Sequence, residues 1–285
     1  MGLLLPLLLL GLATASVPVG GSVNVEDFGA KHDGVQDDTP KIQAAIDSLP
    51  GGGLVLLPAG AYNISSSIQI RRDFVILRGE GRATNLITEG VPVVDSGGAN
   101  AGARLAVVEF AASHGGLEDC QITIIGNASR VRNGLRVGPD LHTVSGAQVK
   151  SNYVMNNYNN FKNLRITGAL TAIEMECGPS VNGGDSGCWY NAFYTALIEY
   201  SDRGIWLRGS RWRGRSGVNR NQFYSVRIGQ AMNTGIQIDA GDTNQFFGCS
   251  FEGIDAAGRN DPPVAVVIAH HGQLSNGTQT SGDNK

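Results

Sequence analysis

Short runs of alternating apolar and polar residues, broken by Gly and Asn, recur along the chain. Five of them align under one another: residues 117–122, 161–166, 193–198, 223–228 and 246–251. The last four carry an Asn two positions before a Phe: Asn159, Asn191, Asn221 and Asn244. Their phenylalanines, Phe161, Phe193, Phe223 and Phe246, are 32, 30 and 23 residues apart. A second apolar run follows each at 135–137, 173–175, 205–207, 236–238 and 266–268, and Gly134, Gly204 and Gly235 precede three of these. A period of 20 to 30 residues built from short strands and Gly/Asn turns is a solenoid signature. Each unit buries one face on a common axis and stacks on its neighbours. With no helices between the strands, this pattern predicts an all-β fold, a parallel β-helix, with Cys120, Leu164, Ala196, Val226 and Cys249 along the interior. A β-sandwich also has short strands and many turns, but it does not call for the repeated Asn-x-Phe register. The repeated Asn is expected in a left-handed turn position.

One helix is predicted ahead of the repeats, over 39–49. Thr39 is placed to cap it, Pro40 suits a first turn, and Ile42, Ala45, Ile46 and Leu49 share a face. An amphipathic helix is a good lid for the unpaired edges of a first coil. Strands at 54–57 and 74–77 are expected beneath it.

The segment 24–62 carries a more specific signal. Asn24-Val25-Glu26-Asp27-Phe28-Gly29-Ala30, Asp33-Gly34-Val35-Gln36-Asp37-Asp38-Thr39 and Gly51-Gly52-Gly53-Leu54-Val55-Leu56-Leu57-Pro58-Ala59-Gly60 stand in order. Together they resemble the opening signature of the pectate-lyase-like superfamily, in the branch of rhamnogalacturonase, epimerase and glucanase-like proteins. The resemblance implies a single-stranded right-handed parallel β-helix over roughly 22–272, with the Asp-Phe-Gly-Ala and Asp-Asp-Thr residues building an N-terminal cap; residues 273–285, by their polarity, read as a tail. It implies a carbohydrate context but no transferable active site. The Asn-Thr-Asp, Asp-Asp, Gly-His-Gly and Arg-Ile-Lys series of polygalacturonases is missing from the corresponding coils, as is the Asp-Pro-His-Glu of alginate epimerases.

Composition agrees with the pattern. Gly is 40 of 285 residues, which disfavours a helical bundle because Gly costs a helix roughly 1 kcal/mol per site. A net charge of −3 lacks the basic footprint of a nucleic-acid binder, and 41% hydrophobic residues argue against disorder. Residues 1–15 read as a secretory signal peptide, Leu-rich and ending in Ala13-Thr14-Ala15. The expectation is a secreted, extracellular protein with no membrane segment once the signal is removed. Asn63, Asn127 and Asn276 stand in glycosylation sequons. Four cysteines in an oxidising compartment suggest a disulfide. Cys177 and Cys188 flank one Gly-rich insertion and are expected to pair. Cys120 and Cys249, four coils apart or about 19 Å at ~4.8 Å per coil, are expected to be buried free thiols.

Three features compete for chemistry. Gly184-Asp185-Ser186-Gly187 has the letters of a serine-protease nucleophile, without the accompanying His and carboxylate of a triad. His270-His271 point to opposite faces of a strand and cannot readily share a metal, and no ligand set at metal spacing accompanies them. The span 203–227 holds seven arginines with Trp206 and Trp212. Planar guanidinium suits bidentate recognition of carboxylate. In the repeat register, Arg136, Glu174, Trp206 and Gln237 form one outward row, and Glu176, Arg208 and Asp239 the next. These rows read either as a solvated ladder of alternating charge or as a sugar-binding groove.

The functional expectation is a secreted enzyme acting on a polysaccharide, an anionic one by its arginines. Glu174, Trp206, Arg211, Trp212 and Arg213 are the candidate substrate contacts. Glu176 and Asp239, two coils or ~9.6 Å apart, would serve as the carboxylate pair of a glycoside hydrolase. A lyase would instead use an Arg such as Arg208 as base, with the uronate carboxylate neutralised by Arg or Ca²⁺. No cofactor is otherwise identified. The rival expectation is a non-catalytic polysaccharide-binding or surface-structural β-helix, since fold does not imply function. A weaker one is a shortened relative lacking a catalytic C-terminal region. A monomer and a β-helix oligomer both remain open.

Overall fold

In the computed structural model the described residues are 20–89, 106–126, 133–138, 154–177, 186–209, 217–230, 233–239, 241, 243–252 and 264–268. Every strand pairing among them is parallel. A coil has four stretches. The first limb of the large sheet (Ala192–Tyr194, Gln222–Tyr224, Gln245–Phe247) turns a corner into a second limb (Leu197–Glu199, Arg227–Gly229, Ser250–Glu252). In the earlier coils one bent strand supplies both limbs, Gly116–Ile124 and Asn160–Thr167. A second sheet follows, containing Ile68–Ile70, Ala106–Phe110, Asn133–Val137, Thr171–Cys177, Arg203–Gly209, Thr234–Ile238 and Val264–Ile268. A short third sheet, Val154–Met155, Ser186–Trp189 and Val218–Asn219, completes the coil.

The expected repeat register is the observed one. Phe161 pairs with Phe193, Phe193 with Phe223 and Phe223 with Phe246, and their rings, the first three buried and the last partly so, stack at 4.6, 4.8 and 4.7 Å. Gly134, Gly204 and Gly235 start the second-sheet strands because the inward space is already taken. A Cβ there would lie 2.5 Å from Ile166, 2.9 Å from Ile228 and 2.8 Å from Phe251, side chains of the second limb.

The four asparagines form a buried ladder. Asn191 Oδ1 accepts from both the backbone N–H and Nδ2 of Asn159 at 3.0 Å, and Asn221 does the same for Asn191. Asn244 does so for Asn221 at 3.0 and 2.9 Å. The expectation that Asn itself takes the left-handed conformation is corrected. The residue before it does so, at Tyr158, Tyr190, Arg220 and Thr243, with φ between 52° and 58°. Asn is needed for its amide, which closes the turn against the next coil. A second left-handed column, Asp119, Asn163, Thr195, Ser225 and Gly248, makes the corner between the two limbs.

At the N-terminus an α-helix spans Thr39–Asp47, with Ile42, Ala45 and Ile46 buried. Thr39 does not cap it, contrary to expectation. Asp38 stands at the cap position, and its carboxylate turns away to accept from the backbone of Lys31 and His32 at 2.7 and 3.0 Å. Asp37 accepts from Thr39 N–H and Ser65 Oγ at 3.0 and 2.6 Å. Burial pushes the Asp37 carboxyl up, but these hydrogen bonds outweigh it and hold it below its usual value. Gln43 donates to the carbonyl and accepts from the N–H of Gln69, as a neighbouring strand would.

Two expectations follow. Asn191→Ala strands the buried N–H of Asn159, and stability should fall by about 3 kcal/mol in urea unfolding. Glu118 lies between Arg78 and Lys162, at 2.8 and 2.9 Å. Burial raises its pKa, but hydrogen bonds from those cations overcome this and lower it. The stability it contributes is therefore complete above its unfolded value and is lost as pH falls through the lowered folded value. Glu118→Gln should flatten that acid limb in a series of melting temperatures against pH.

Candidate functional site

The outward side of the second sheet gathers the charged residues that the repeat register had aligned. Arg136 pairs with Glu174 and Glu174 with Trp206, then Trp206 with Gln237, and Glu176 pairs with Arg208. Glu109 one coil earlier and Gln69 one coil before that extend the first row. The rows are not a solvated ladder: Glu109, Arg136, Glu174 and Glu176 are buried. Buried charges have to be paired. Arg136 Nη2 meets Glu176 Oε2 at 2.9 Å, and Arg208 Nη1 lies 3.3 Å from Glu174 Oε1 and 3.5 Å from Glu176 Oε1. Asn133 donates to the other oxygen of Glu174, and Arg71 reaches Glu109 at 3.3 Å.

Trp206, Arg203, Arg208, Gln237 and Asp239 are half-buried and form the part of this patch that solvent reaches. Trp206 Nε1 donates to Asp239 Oδ2 at 2.8 Å, and Gln237 donates to Asp239 Oδ1 at 2.6 Å. The guanidinium carbons of Arg203 and Arg208 lie 4.1 and 4.4 Å from the centre of the Trp206 ring, within cation–π distance. The indole expected to stack on a sugar is thus engaged by two arginines. What the patch offers a ligand is an aromatic-backed pair of guanidiniums beside a carboxylate.

Of the candidate residues, Glu174, Glu176, Trp206, Arg208 and Asp239 come together here. Arg211, Trp212 and Arg213 lie outside the described residues, as do His270, His271, Asn127 and Asn276. Asn63 closes the strand Gly60–Asn63, where its Nδ2 donates to Val35 O at 2.9 Å. Cys177 and Cys188 form the expected disulfide, with Cα atoms 5.6 Å apart. It ties the end of one second-sheet strand to the third sheet, immediately after Glu176. Cys120 and Cys249 are free. Cys120 is buried and its thiol is pushed up to about 12 by burial. Cys249 is only partly buried, a correction, because the last described coil leaves that position open. Ser186 of the Gly-Asp-Ser-Gly segment is buried in a third-sheet strand. Among the described residues no group of three His, Cys, Asp or Glu could hold a metal ion, and no helix is long and apolar enough to cross a membrane.

The family described as rhamnogalacturonase A/epimerase, pectate lyase-like, matches residues 22–103. A solved protein of Geobacillus virus E2 (ORF18) superposes with a TM-score of 0.62 at 22% identity, over 87% of this chain and 47% of that one. The chain has a parallel β-helix fold, and its residues 22–103 are similar to the pectate-lyase-like family. Mannuronan C5-epimerase AlgE4 of Azotobacter vinelandii is 46% identical over 72 residues, covering 22% of this chain and 13% of the relative. Alginate lyase 7 of the same organism is 49% identical over 57 residues, covering 19% and 7%. The chain therefore spans a small fraction of the curated relatives it matches.

Sequence reasoning missed Glu109, Arg71 and Asn133 as members of the network. Glu109 was hidden because the strand Ala106–Phe110 lacks the Asn-x-Phe mark that aligned the later coils. The network carries its own test. Glu176→Gln removes the charge facing buried Arg136 and should destabilise the fold by about 3 kcal/mol in denaturant unfolding.

Proposed function

We propose that this β-helix acts on an anionic, uronate-containing polysaccharide, by chemistry at the carbon that bears the carboxylate rather than by hydrolysis. The observation that carries the reading is the half-buried pair Arg203 and Arg208 over Trp206, with Arg208 held in place by Glu174 and Glu176. We assign the Asp239 carboxylate, beside these guanidiniums, to accept the proton next to the uronate carboxylate, and its transfer drives negative charge onto the uronate carboxylate. A fixed guanidinium stabilises this charge without reorganising. The resulting carbanion then either expels the O4 substituent, which is elimination, or takes a proton on the opposite face, which is epimerisation. Relatives named as a mannuronan epimerase and an alginate lyase support this pair of outcomes.

The same geometry changes the roles expected of two residues. Two glutamates around Arg208 favour its charged form, so we assign it to neutralise the substrate carboxylate rather than to act as base. Glu176 lies against two guanidiniums, which favour its charged form too, whereas a glycoside hydrolase needs one protonated carboxyl. Hydrolysis by Glu176 and Asp239 is accordingly the weaker proposal. Export is part of the reading, on the signal-like residues 1–15 and a disulfide suited to an oxidising compartment.

A second reading, a binding module without turnover, draws on Asp239 being already bonded to Trp206 and Gln237. Incubation with polymannuronate, polyguluronate and polygalacturonate in deuterated water separates the two. Deuterium at the uronate carbon, or unsaturated ends seen by NMR, is the expected result, and Arg208→Lys should lower kcat about 100-fold. New reducing ends with neither signal would establish hydrolysis. Retention of polymer without any product would establish the binding module.

A further inference from the structure

A different face of the molecule carries a feature that the second-sheet reading does not use. On the outward side of the first limb, two columns of aromatic rings run parallel to the solenoid axis. One occupies the left-handed turn before the Asn ladder. Phe74, His114, Tyr158 and Tyr190 stack at 5.0, 5.2 and 5.2 Å with interplanar angles of 12° or less. The other lies on the strands themselves, where Tyr194, Tyr224 and Phe247 stack at 5.1 and 4.9 Å. Tyr158, Tyr190 and Tyr194 are 50%, 40% and 37% exposed. Between the columns runs a row of small or amide side chains. Asn160 pairs with Ala192, Ala192 with Gln222 and Gln222 with Gln245, and the two glutamines are joined at 3.2 Å.

We propose that this face binds an extended β-1,4-linked pyranose chain laid along the solenoid axis. Stacking alone does not account for its chemistry, because Phe would stack as well as Tyr. Tyr158, Tyr190, Tyr194 and Tyr224 add a hydroxyl that contributes nothing to the ring contacts. Rings stacked on the axis turn their edges and hydroxyls outward, so recognition is by hydrogen bonds and edge contacts rather than by a sugar lying on a ring face. Arg220 donates to the Tyr190 hydroxyl, which directs that hydroxyl's own proton elsewhere. Tyr158, then Tyr190 with Tyr194, then Tyr224 place a hydroxyl on three successive coils at the ~4.8 Å spacing of parallel strands, and the floor carries an amide at Asn160, Gln222 and Gln245 with Ala192 between the first two. The rise per sugar of an extended β-1,4 chain is close to that spacing, so each sugar lies over one coil, with alternate sugars turning the same edge to the face. A coiled α-linked chain does not keep this pitch. The aromatic and amide character of the face, with Lys162 already paired to Glu118, suits an uncharged chain.

The test is affinity electrophoresis of the full chain in gels containing hydroxyethyl cellulose, an uncharged β-1,4 polymer, or pullulan, an α-linked one. Retardation by the first and not the second is expected. A variant carrying Tyr158→Phe, Tyr190→Phe, Tyr194→Phe and Tyr224→Phe keeps the stacks. It should melt like the parent while its affinity falls at least tenfold. No retardation of the parent by hydroxyethyl cellulose, equal retardation by pullulan, or undiminished binding by the four-Phe variant would overturn the proposal. Hydroxyethyl cellulose has no uronate carboxylate, so failure here would leave the second-sheet chemistry standing, and the converse holds.

Discussion

Hydrogen bonding of each coil, residue for residue, to the coil beneath it is the constraint from which the remaining architecture follows. In-register parallel pairing places each side chain on its equivalent one strand spacing away. Such stacking is favourable only for side chains that interact well with their own kind. Amides do, by accepting and donating along one line, and so the fully buried Asn159, Asn191, Asn221 and Asn244 form a ladder. Flat rings do as well, which accounts for the Phe161–Phe246 column inside and the Tyr columns outside. Left-handed Tyr and Arg in the turn are strained positions for side chains with a Cβ. Ring stacking and cation–π contact offset that strain at His114, Tyr158, Tyr190 and Arg220.

Charges cannot stack on their own kind, and the second sheet solves this by alternation. Glu109, Arg136 and Glu174 follow one another along one row, and Glu176 faces Arg208 in the next. Because the innermost of these are buried, each has to be matched, and the network holds Arg208 and Trp206 in one arrangement. A buried ion-pair network of this kind adds little net stability over an apolar one. Its consequence is geometric: a guanidinium whose position is set before any ligand arrives. The disulfide Cys177–Cys188 joins the second and third sheets one residue after Glu176 and fixes that end of the row.

The two outward faces thus differ in kind, although the same stacking rule builds both. One presents fixed charge over an indole, suited to an anionic group undergoing reaction. The other presents hydroxyls and amides at the pitch of the coil, suited to holding a chain in line. Both lie on the solenoid's length, where successive coils repeat the same contact.

The fold class, the register of the later coils and the charged residues those coils align were legible from the sequence. Phe and Asn recur at positions that only a stacked coil brings together, and alternation along a strand assigns the faces. The disulfide was legible for the same reason, since Cys177 and Cys188 close a single short insertion. Coils without the Asn-x-Phe mark, such as the one holding Ala106–Phe110, were not, and with them went Glu109. Nor could the pattern distinguish a solvated row from a buried one, because outward on a strand does not mean exposed once other parts of the chain cover it. Which residue of the turn is left-handed, whether Trp206 is open to a sugar or flanked by Arg203 and Arg208, and that His114 stacks between Phe74 and Tyr158 were all decided by the tertiary structure. Periodicity encodes which residues share a row. Distances across rows, and what lies over them, depend on side-chain packing between segments far apart in the chain.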